Sequence, residues 1–208
     1  MKFDWLVQTL APARCVICGR YGAGLCPGCA TAMAAPPLLE RAACFDTPAV
    51  LALGAYQGAL RHAILALKFR GRRPAAVRLG EILGAKLPRR PDVLVPVPAD
   101  ALRLRRRGHN QAADIAVGMA LTCRTVMLNV ALRRVSGGLP QSSLRSLERA
   151  RNAAAAFSAG PESGRIAGKS ICLVDDVVTT GATVRECAAV LKGCGAASVH
   201  VAALAITL

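Results

Sequence analysis

Hydrophobic and polar residues follow two different periods along most of this chain, and the periods predict strands and helices in alternation. Short runs of consecutive apolar residues are typical of buried strands, whereas apolar residues spaced three and four apart form one face of a helix. The predicted strands span residues 50–56, 93–97, 125–132, 171–174 and 198–207. The predicted helices span residues 60–68, 75–87, 110–122 and 182–192, and residues 142–157 are predicted to run from a loop into a helix. This order favours an α/β domain with a mostly parallel sheet flanked by helices.

The composition indicates a folded domain built mostly from aliphatic residues. Hydrophobic residues make up 53% of the 208 residues and aromatic residues only 3%. The first value excludes a disordered chain, and the second requires a core of Ala, Val, Leu and Ile. No uninterrupted apolar stretch approaches the ~18 residues of a membrane span, and residues 1–13 lack the apolar run of a signal peptide. We therefore expect a cytoplasmic protein without membrane insertion.

Positive charge is concentrated in the middle of the chain. The chain carries 27 Lys and Arg against 12 Asp and Glu, a formal net charge of +15. Of the basic residues, 22 are Arg, and 13 of the 27 lie between residues 61 and 107. Because Arg pairs bidentately with phosphate, this excess favours phosphorylated or polyanionic partners.

Four cysteines near the start form two Cys-X-X-Cys pairs separated by seven residues. Two such pairs so close together favour a structural Zn²⁺ with four thiolate ligands over disulfide or redox use. The predicted metal ligands are Cys15, Cys18, Cys26 and Cys29. Residues 1–40 are therefore interpreted as a small zinc-finger-like module, with a hinge at residues 34–37, and residues 41–208 as the main domain. The remaining five cysteines are scattered and are interpreted mostly as core residues.

The most informative segment follows the predicted strand at residues 171–174. Asp175 and Asp176 come directly after it, and Thr179–Thr183 then lead into a helix. Hydroxyls and backbone N–H groups at a helix N-terminus suit a phosphate dianion, and adjacent carboxylates suit a sugar diol and a bridging Mg²⁺. A capping box at Thr183–Glu186 is the plainer alternative, but it does not explain the acidic pair.

This segment resembles the phosphoribosyl pyrophosphate (PRPP) motif of type I phosphoribosyltransferases. The resemblance implies that the two Asp residues contact the ribose hydroxyls and that the Thr-rich loop holds the 5′-phosphate. The implied PRPP-binding residues are Asp175, Asp176, Val177, Val178, Thr179, Thr180, Gly181, Ala182 and Thr183. The family's pyrophosphate loop corresponds to Pro96, Val97 and Pro98, with Lys68 and Arg107 as candidate pyrophosphate contacts. Two prolines at this spacing also simply end a strand.

The order of the motifs is similar to that of the ComF family of competence-associated proteins. The features are the cysteine pairs, Leu67–Phe69, Pro96–Pro98 followed by Arg106–Gln111, and the PRPP motif. Gln141, Arg151, Asn152 and Phe157 also fall at family positions, whereas His109 replaces the usual Phe. The resemblance implies a role in natural transformation, together with competence machinery proteins and single-stranded DNA.

The basic run of the middle segment is the candidate DNA contact. It consists of Arg103, Arg105, Arg106 and Arg107, although such a run is also typical of a solvated face or of a pyrophosphate site. The low aromatic content argues against extended base stacking. Two functions stay open: a PRPP-binding accessory of DNA uptake, and an active phosphoribosyltransferase with an amine or nucleobase acceptor. A glutamine amidotransferase is set aside, because that chemistry in the related family uses an N-terminal nucleophilic cysteine. The first cysteine here, Cys15, belongs to the predicted zinc site.

Overall fold

The computed structural model describes residues 13–44, 46–69, 72–135 and 156–208, and only the backbone of Arg103. The helices are α1 (Pro27–Ala34), α2 (Gly58–Ala66), α3 (Arg73–Ala85), α4 (Ala101–Arg107), α5 (Gln111–Cys123) and α6 (Ala182–Gly193). The strands are β1 (Leu39–Arg41), β2 (Val50–Ala55), β3 (Val93–Pro96), β4 (Val126–Met127), β5 (Leu132–Arg134), β6 (Phe157–Ala159), β7 (Ser170–Val178) and β8 (Ser198–Ile206). A single 3₁₀ turn spans Ser163–Arg165.

The six-stranded main sheet has the order β1-β2-β8-β7-β3-β4. All of its strand pairs are parallel except β1 with β2 at the edge. The apolar β7 and β8 form its centre, with Leu173 opposite Val201. Strands β5 and β6 make a separate antiparallel pair. The predicted α/β class with a mostly parallel sheet and flanking helices is confirmed.

Two hydrophobic clusters cover opposite faces of the sheet. Successive residues of β3 alternate between them, because side chains along a strand point to opposite faces. Leu94 joins the cluster that contains α2, α3, α5 and the cysteine segment. Val93 and Val95 join the cluster that contains α6, β5 and β6. The sheet is therefore covered on both sides.

Helices α3 and α5 lie in direct backbone contact through two glycines. A Cβ atom on Gly118 would lie 1.9 Å from the carbonyl oxygen of Val77, and one on Gly80 would lie 2.1 Å from that of Ile115. Any side chain at either position would force the helices apart. This close packing fixes α5, whose N-terminus borders the candidate site.

The cysteine segment packs onto α3. Cys15, Cys26 and Ala30 belong to the same hydrophobic cluster as the residues of α3. At the predicted hinge, the Lys86 ammonium donates to the carbonyl oxygens of Ala34 and Pro36. The link between the segments is therefore fastened to the C-terminal end of α3. The domain division after residue 40 stays a prediction, and β1 runs across it.

Several predicted boundaries are wrong. The strand at residues 125–132 is two short strands in different sheets, because Leu132 pairs with Ala159 of β6 instead of continuing along β3. Phe157 begins strand β6 rather than ending a helix, and residues 142–155 lie outside the described residues, as do Gln141, Arg151 and Asn152. The pattern did not predict α1, α4 or β1. Across the described ranges, no helix combines the length and apolarity needed to cross a membrane.

Candidate functional site

The site lies where β3 and β7 end side by side. These strands are parallel, so the loops after them meet at one edge of the sheet, where open α/β sheets bind ligands. Pro96 pairs with Val174, and the Val97 amide donates to the Val174 carbonyl at 2.9 Å. The loop after β3 is thereby placed beside the acidic pair of β7.

A pocket of about 180 Å³ opens between these two strand ends. This volume is several times the roughly 30 Å³ that one water molecule occupies in the liquid, so the pocket can hold a ligand group of several atoms. The predicted site residues that line it are Val97, Pro98, Arg107, Asp175, Asp176, Val177 and Thr183. The structure thus brings residues of the predicted pyrophosphate loop and PRPP motif into one cavity.

The acidic pair lies within β7, not in the loop after a four-residue strand. Val177 and Val178 continue the parallel pairing with β8, opposite Ala205 and Ile206. The Asp175 carboxylate accepts from the Asp176 amide at 2.8 Å, and the Asp176 carboxylate accepts from the Val177 amide at 2.9 Å. Both side chains are therefore held by their own backbone at the rim of the pocket.

The Thr-rich loop encloses a second, smaller cavity of about 40 Å³ at the N-terminus of α6. Gly181 adopts a left-handed φ of +84°, which a glycine reaches without strain. Gly181 is also the N-cap of α6, and no side-chain cap hydrogen bond is formed there. The capping-box alternative at Thr183 is therefore wrong. The Ala182 amide donates to Thr180 Oγ1 at 3.4 Å. The other N–H groups of the first turn and the helix dipole favour an anion in this cavity.

Arg41 holds the Thr-rich loop through a hydrogen bond that the sequence did not predict. Its Nη1 donates to the Thr179 carbonyl at 2.7 Å. Its Nη2 is buried and has no partner among the described residues. A Cβ on Gly181 would lie 3.2 Å from that Nη2 atom. Arg41 lies 138 residues before the carbonyl that it contacts, so no local pattern could indicate the pairing.

The N-terminus of α5 forms another wall of the pocket. Asn110 caps the helix by accepting from the Ala112 amide at 3.1 Å, and its Nδ2 donates to the Val97 carbonyl at 2.9 Å. Arg107 donates to Gln111 Oε1 at 2.6 Å. The Arg-Gly-His-Asn-Gln segment therefore fastens the loop after β3 and directs a guanidinium to the pocket.

His109 is buried in the same wall, with its side chain only 5% exposed. Its Nδ1 lies 2.5 Å from Asp114 Oδ2, while Asp114 Oδ1 accepts from Arg73 Nε at 3.0 Å. The other ring nitrogen, Nε2, is buried without a partner among the described residues, and the same holds for Gln111 Nε2. Two unpaired polar atoms therefore belong to side chains that line one pocket.

The remaining predicted site residues lie elsewhere. Lys68 follows α2 and does not line the pocket, and Pro96 is buried in β3. Arg105 and Arg106 are exposed on α4, and the side chain of Arg103 is outside the described part of the chain. Arg134 of β5 does line the pocket, 3.9 Å from the Asp100 carboxylate. It escaped prediction because β5 was merged with β4.

The four predicted metal ligands converge. The sulfur atoms of Cys15, Cys18, Cys26 and Cys29 all lie within 4.8 Å of one another, and Cys18 and Cys26 are 3.7 Å apart. Tetrahedral Zn–S bonds of about 2.3 Å would place sulfurs about 3.8 Å apart, so the cluster has the dimensions of such a site. Cys26 is the N-cap residue of α1, and Cys29 lies within that helix.

The four thiols do not ionise alike. Burial raises the pKa of Cys15, but the backbone N–H groups of Cys26, Cys18 and Ile17 outweigh it and lower that pKa to about 6. Burial and the neighbouring thiols raise the pKa of Cys29 to about 12. The Cys29 thiol therefore ionises at neutral pH only beside a positive charge such as that of a bound metal ion.

Comparison with known proteins agrees with this geometry. Residues 71–206 match the phosphoribosyl transferase domain. DNA utilization protein YhgH of Salmonella typhimurium is 32% identical over 93% of this chain and 90% of its own length. Competence protein F of Haemophilus influenzae is 32% identical over 55% of this chain, and the match spans only 50% of that relative. The solved structure of the allosteric regulatory enzyme of purine biosynthesis is 23% identical, with a TM-score of 0.47 over 64% of this chain and 26% of that chain.

The fold and site define a phosphoribosyltransferase-type domain, with a Thr-rich loop and a carboxylate pair at the carboxyl edge of a mostly parallel sheet. The chain belongs to the phosphoribosyl transferase domain family and, within it, to the ComF family of competence-related proteins. The family resemblance read from the motifs is thereby confirmed.

Proposed function

We propose that this protein binds PRPP with Mg²⁺ in the pocket between β3 and β7 and acts in the uptake or use of DNA. The observation that carries the proposal is the adjacency of two cavities that share Asp175, Val177 and Thr183. A ligand with a phosphate at one end, a ribose in the middle and a pyrophosphate at the other end fits this arrangement. The DNA role is supported by the relatives named DNA utilization protein and Competence protein F.

Each end of the pocket suits one part of PRPP. The loop Thr179–Thr183 would hold the 5′-phosphate at the N-terminus of α6. Asp175 and Asp176 would accept from the ribose hydroxyls and contribute oxygen ligands to Mg²⁺. Val97, Pro98 and Arg107 border the far end, where a guanidinium pairs well with pyrophosphate oxygens.

Single-stranded DNA is assigned to α4 in this proposal. Arg105 and Arg106 are exposed, and Leu102 and Leu104 on the same helix are 65% and 44% exposed. Exposed cationic side chains on one helix suit contact with a phosphate backbone. Arg107 differs from its neighbours because its guanidinium is turned to Gln111 and the pocket. We therefore assign it to PRPP, and Arg103, Arg105 and Arg106 to DNA.

The cysteine cluster is proposed to hold a structural Zn²⁺. All four positions are taken by thiolates, so the site is closed and suits stability rather than catalysis. A cytoplasmic location belongs to the same proposal, because free thiolates persist in a reducing compartment. Competence machinery proteins are the expected protein partners.

Calorimetry with Mg-PRPP tests the central assignment. Asp175→Asn with Asp176→Asn keeps the side-chain shapes and removes both charges. Each charge-assisted hydrogen bond contributes about 1.5–3 kcal/mol, so the affinity is expected to fall at least about 100-fold. The control is Glu40→Gln, which neutralises an exposed acid on β1. An unchanged affinity in the double variant would show that PRPP does not bind here.

An active phosphoribosyltransferase is the second candidate function. Two observations on His109 favour this function: the residue lines the pocket, and its ring is hydrogen-bonded to Asp114. A binding-only site has no need for a carboxylate–imidazole pair at its wall.

A further inference from the structure

His109 has one ring nitrogen engaged and the other unengaged. The Asp114 carboxylate can only accept a hydrogen bond, so His109 Nδ1 must be the donor. In the neutral imidazole the proton is therefore assigned to Nδ1. Nε2 then carries the lone pair and can accept a proton. Arg73 compensates the Asp114 charge from the other side at 3.0 Å. The arrangement therefore presents an oriented imidazole whose second nitrogen has no partner among the described residues.

The unpaired Nε2 atom of His109 favours a ligand that donates a hydrogen bond to it. His109 Nε2 is buried and lacks a partner among the described residues, and a buried polar atom without a partner is destabilising. An apolar ring in this position would fill the same space without that cost. Because His109 lines the pocket together with Asp175 and Asp176, a hydrogen-bond donor on a bound molecule would satisfy Nε2.

We propose that His109 is the proton acceptor for an N–H nucleophile, an amine or a nucleobase, that displaces pyrophosphate from PRPP. This inference rests on the PRPP binding proposed above. The nucleophile nitrogen forms a bond to the ribose C1 atom, and the bond from C1 to the pyrophosphate oxygen breaks. Pyrophosphate leaves with the bonding electron pair. The proton of the nucleophile moves to His109 Nε2, and the resulting imidazolium, which Asp114 stabilises, later releases it to solvent.

Several charged groups influence the charge of the imidazole. Asp114 of α5 contacts the ring directly, and Arg73 of α3 contacts Asp114. The other charged residues around the pocket are Asp100, Arg107, Arg134, Asp175 and Asp176. Acidic and basic groups both surround the ring, so the pH profile must be measured with Mg-PRPP bound, when the ligand charges are in place.

The test measures pyrophosphate release from Mg-PRPP with ammonia, small amines and a nucleobase panel, between about pH 5 and 9. The wild-type rate is expected to rise with pH as the imidazole becomes neutral. His109→Phe should lower the rate by about 10²–10⁴-fold, the usual contribution of acid–base catalysis, and remove that rise. Its PRPP affinity should stay within about threefold. His62→Phe is the matched control, because His62 is exposed on α2.

His109→Gln is the second variant, because it keeps a polar side chain in the wall but cannot accept the proton. It should lose turnover as His109→Phe does, and thermal melting checks that both variants fold. Wild-type protein that binds PRPP but releases no pyrophosphate with any acceptor would overturn the role of His109 and leave PRPP binding intact. Full turnover in either variant would also overturn it. Absence of PRPP binding in the wild type would instead refute the proposed function, and this inference with it.

Discussion

Removing the Arg41 guanidinium tests whether the phosphate loop is positioned from outside the PRPP motif. Arg41→Met keeps the length of the side chain but deletes the 2.7 Å hydrogen bond to the Thr179 carbonyl. It also deletes the buried Nη2 atom beside Gly181. A hydrogen bond to a charged group contributes about 1.5–3 kcal/mol. Because Arg41 acts through the loop and is partly exposed, we expect about half of that to appear in PRPP affinity.

The expected result is a weakening of Mg-PRPP binding by roughly fourfold to tenfold, which corresponds to about 0.8–1.4 kcal/mol. Mg-pyrophosphate lacks the 5′-phosphate, so its affinity should change by less than about twofold. Arg185→Met is the matched control, because Arg185 is an exposed cation near the start of α6. It removes a similar charge without touching the Thr179 carbonyl.

Isothermal titration calorimetry with Mg-PRPP and with Mg-pyrophosphate is carried out on the wild type, Arg41→Met and Arg185→Met. It distinguishes positioning of the loop from a general effect of charge or folding. A selective loss for PRPP in Arg41→Met alone supports positioning of the loop. Equal losses for PRPP and pyrophosphate would indicate a general effect of charge or folding. An unchanged PRPP affinity in Arg41→Met would refute the claim that Arg41 supports the phosphate site.

Three further predictions concern packing, metal and DNA. Gly118→Ala should lower the free energy of unfolding by about 3 kcal/mol or more in urea titrations, because its Cβ would overlap the Val77 carbonyl. Gly193→Ala, whose Cβ meets nothing within 4 Å, should be neutral or stabilising. Cys18→Ser should abolish stoichiometric zinc and lower the melting temperature, whereas Cys44→Ser should do neither. Both cysteines are exposed, so a loss on Cys44→Ser would contradict the assignment. Arg105→Ala with Arg106→Ala should reduce the salt slope of single-stranded DNA binding by about 1.4, or 0.7 per phosphate contact. An unchanged slope would exclude α4 as the DNA contact, and Arg89→Ala with Lys192→Ala provides the control.

The sheet and the Thr-rich loop after β7 could be predicted because local patterns encode them. Apolar runs marked β3, β7 and β8, and the acidic pair with Thr179–Thr183 carries its chemistry within nine residues. The cysteine cluster was predictable for the same reason. Each of these features is specified by neighbours in sequence, so no knowledge of tertiary contacts was required.

The residues that complete the pocket were not predictable, because long-range packing places them. Arg41 reaches Thr179 only through the pairing of β1 with β2 at the sheet edge. Arg134 reaches the pocket because β5 leaves the main sheet to pair with β6. The pairing of His109 with Asp114 follows from the turn at Gly108, where φ is +76°, and from the first turn of α5. The sequence showed the unusual His109, but it did not show that its second nitrogen would be buried and unpaired.

The structure also changes the meaning of the basic segment at residues 61–107. Many of its cations bind the protein itself rather than facing a partner. Arg72 donates to the Arg14 carbonyl, Arg73 holds Asp114, and Lys86 clamps the linker after α1. Arg90 likewise donates to the Arg124 carbonyl and Thr125. A cation that satisfies a carbonyl in its own chain has less capacity for phosphate, so the charge does not form a uniform nucleic-acid surface. In the described part of this segment, Arg105 and Arg106 are exposed on α4, which follows the loop after β3. This location favours two adjacent anionic ligands over one extended coat.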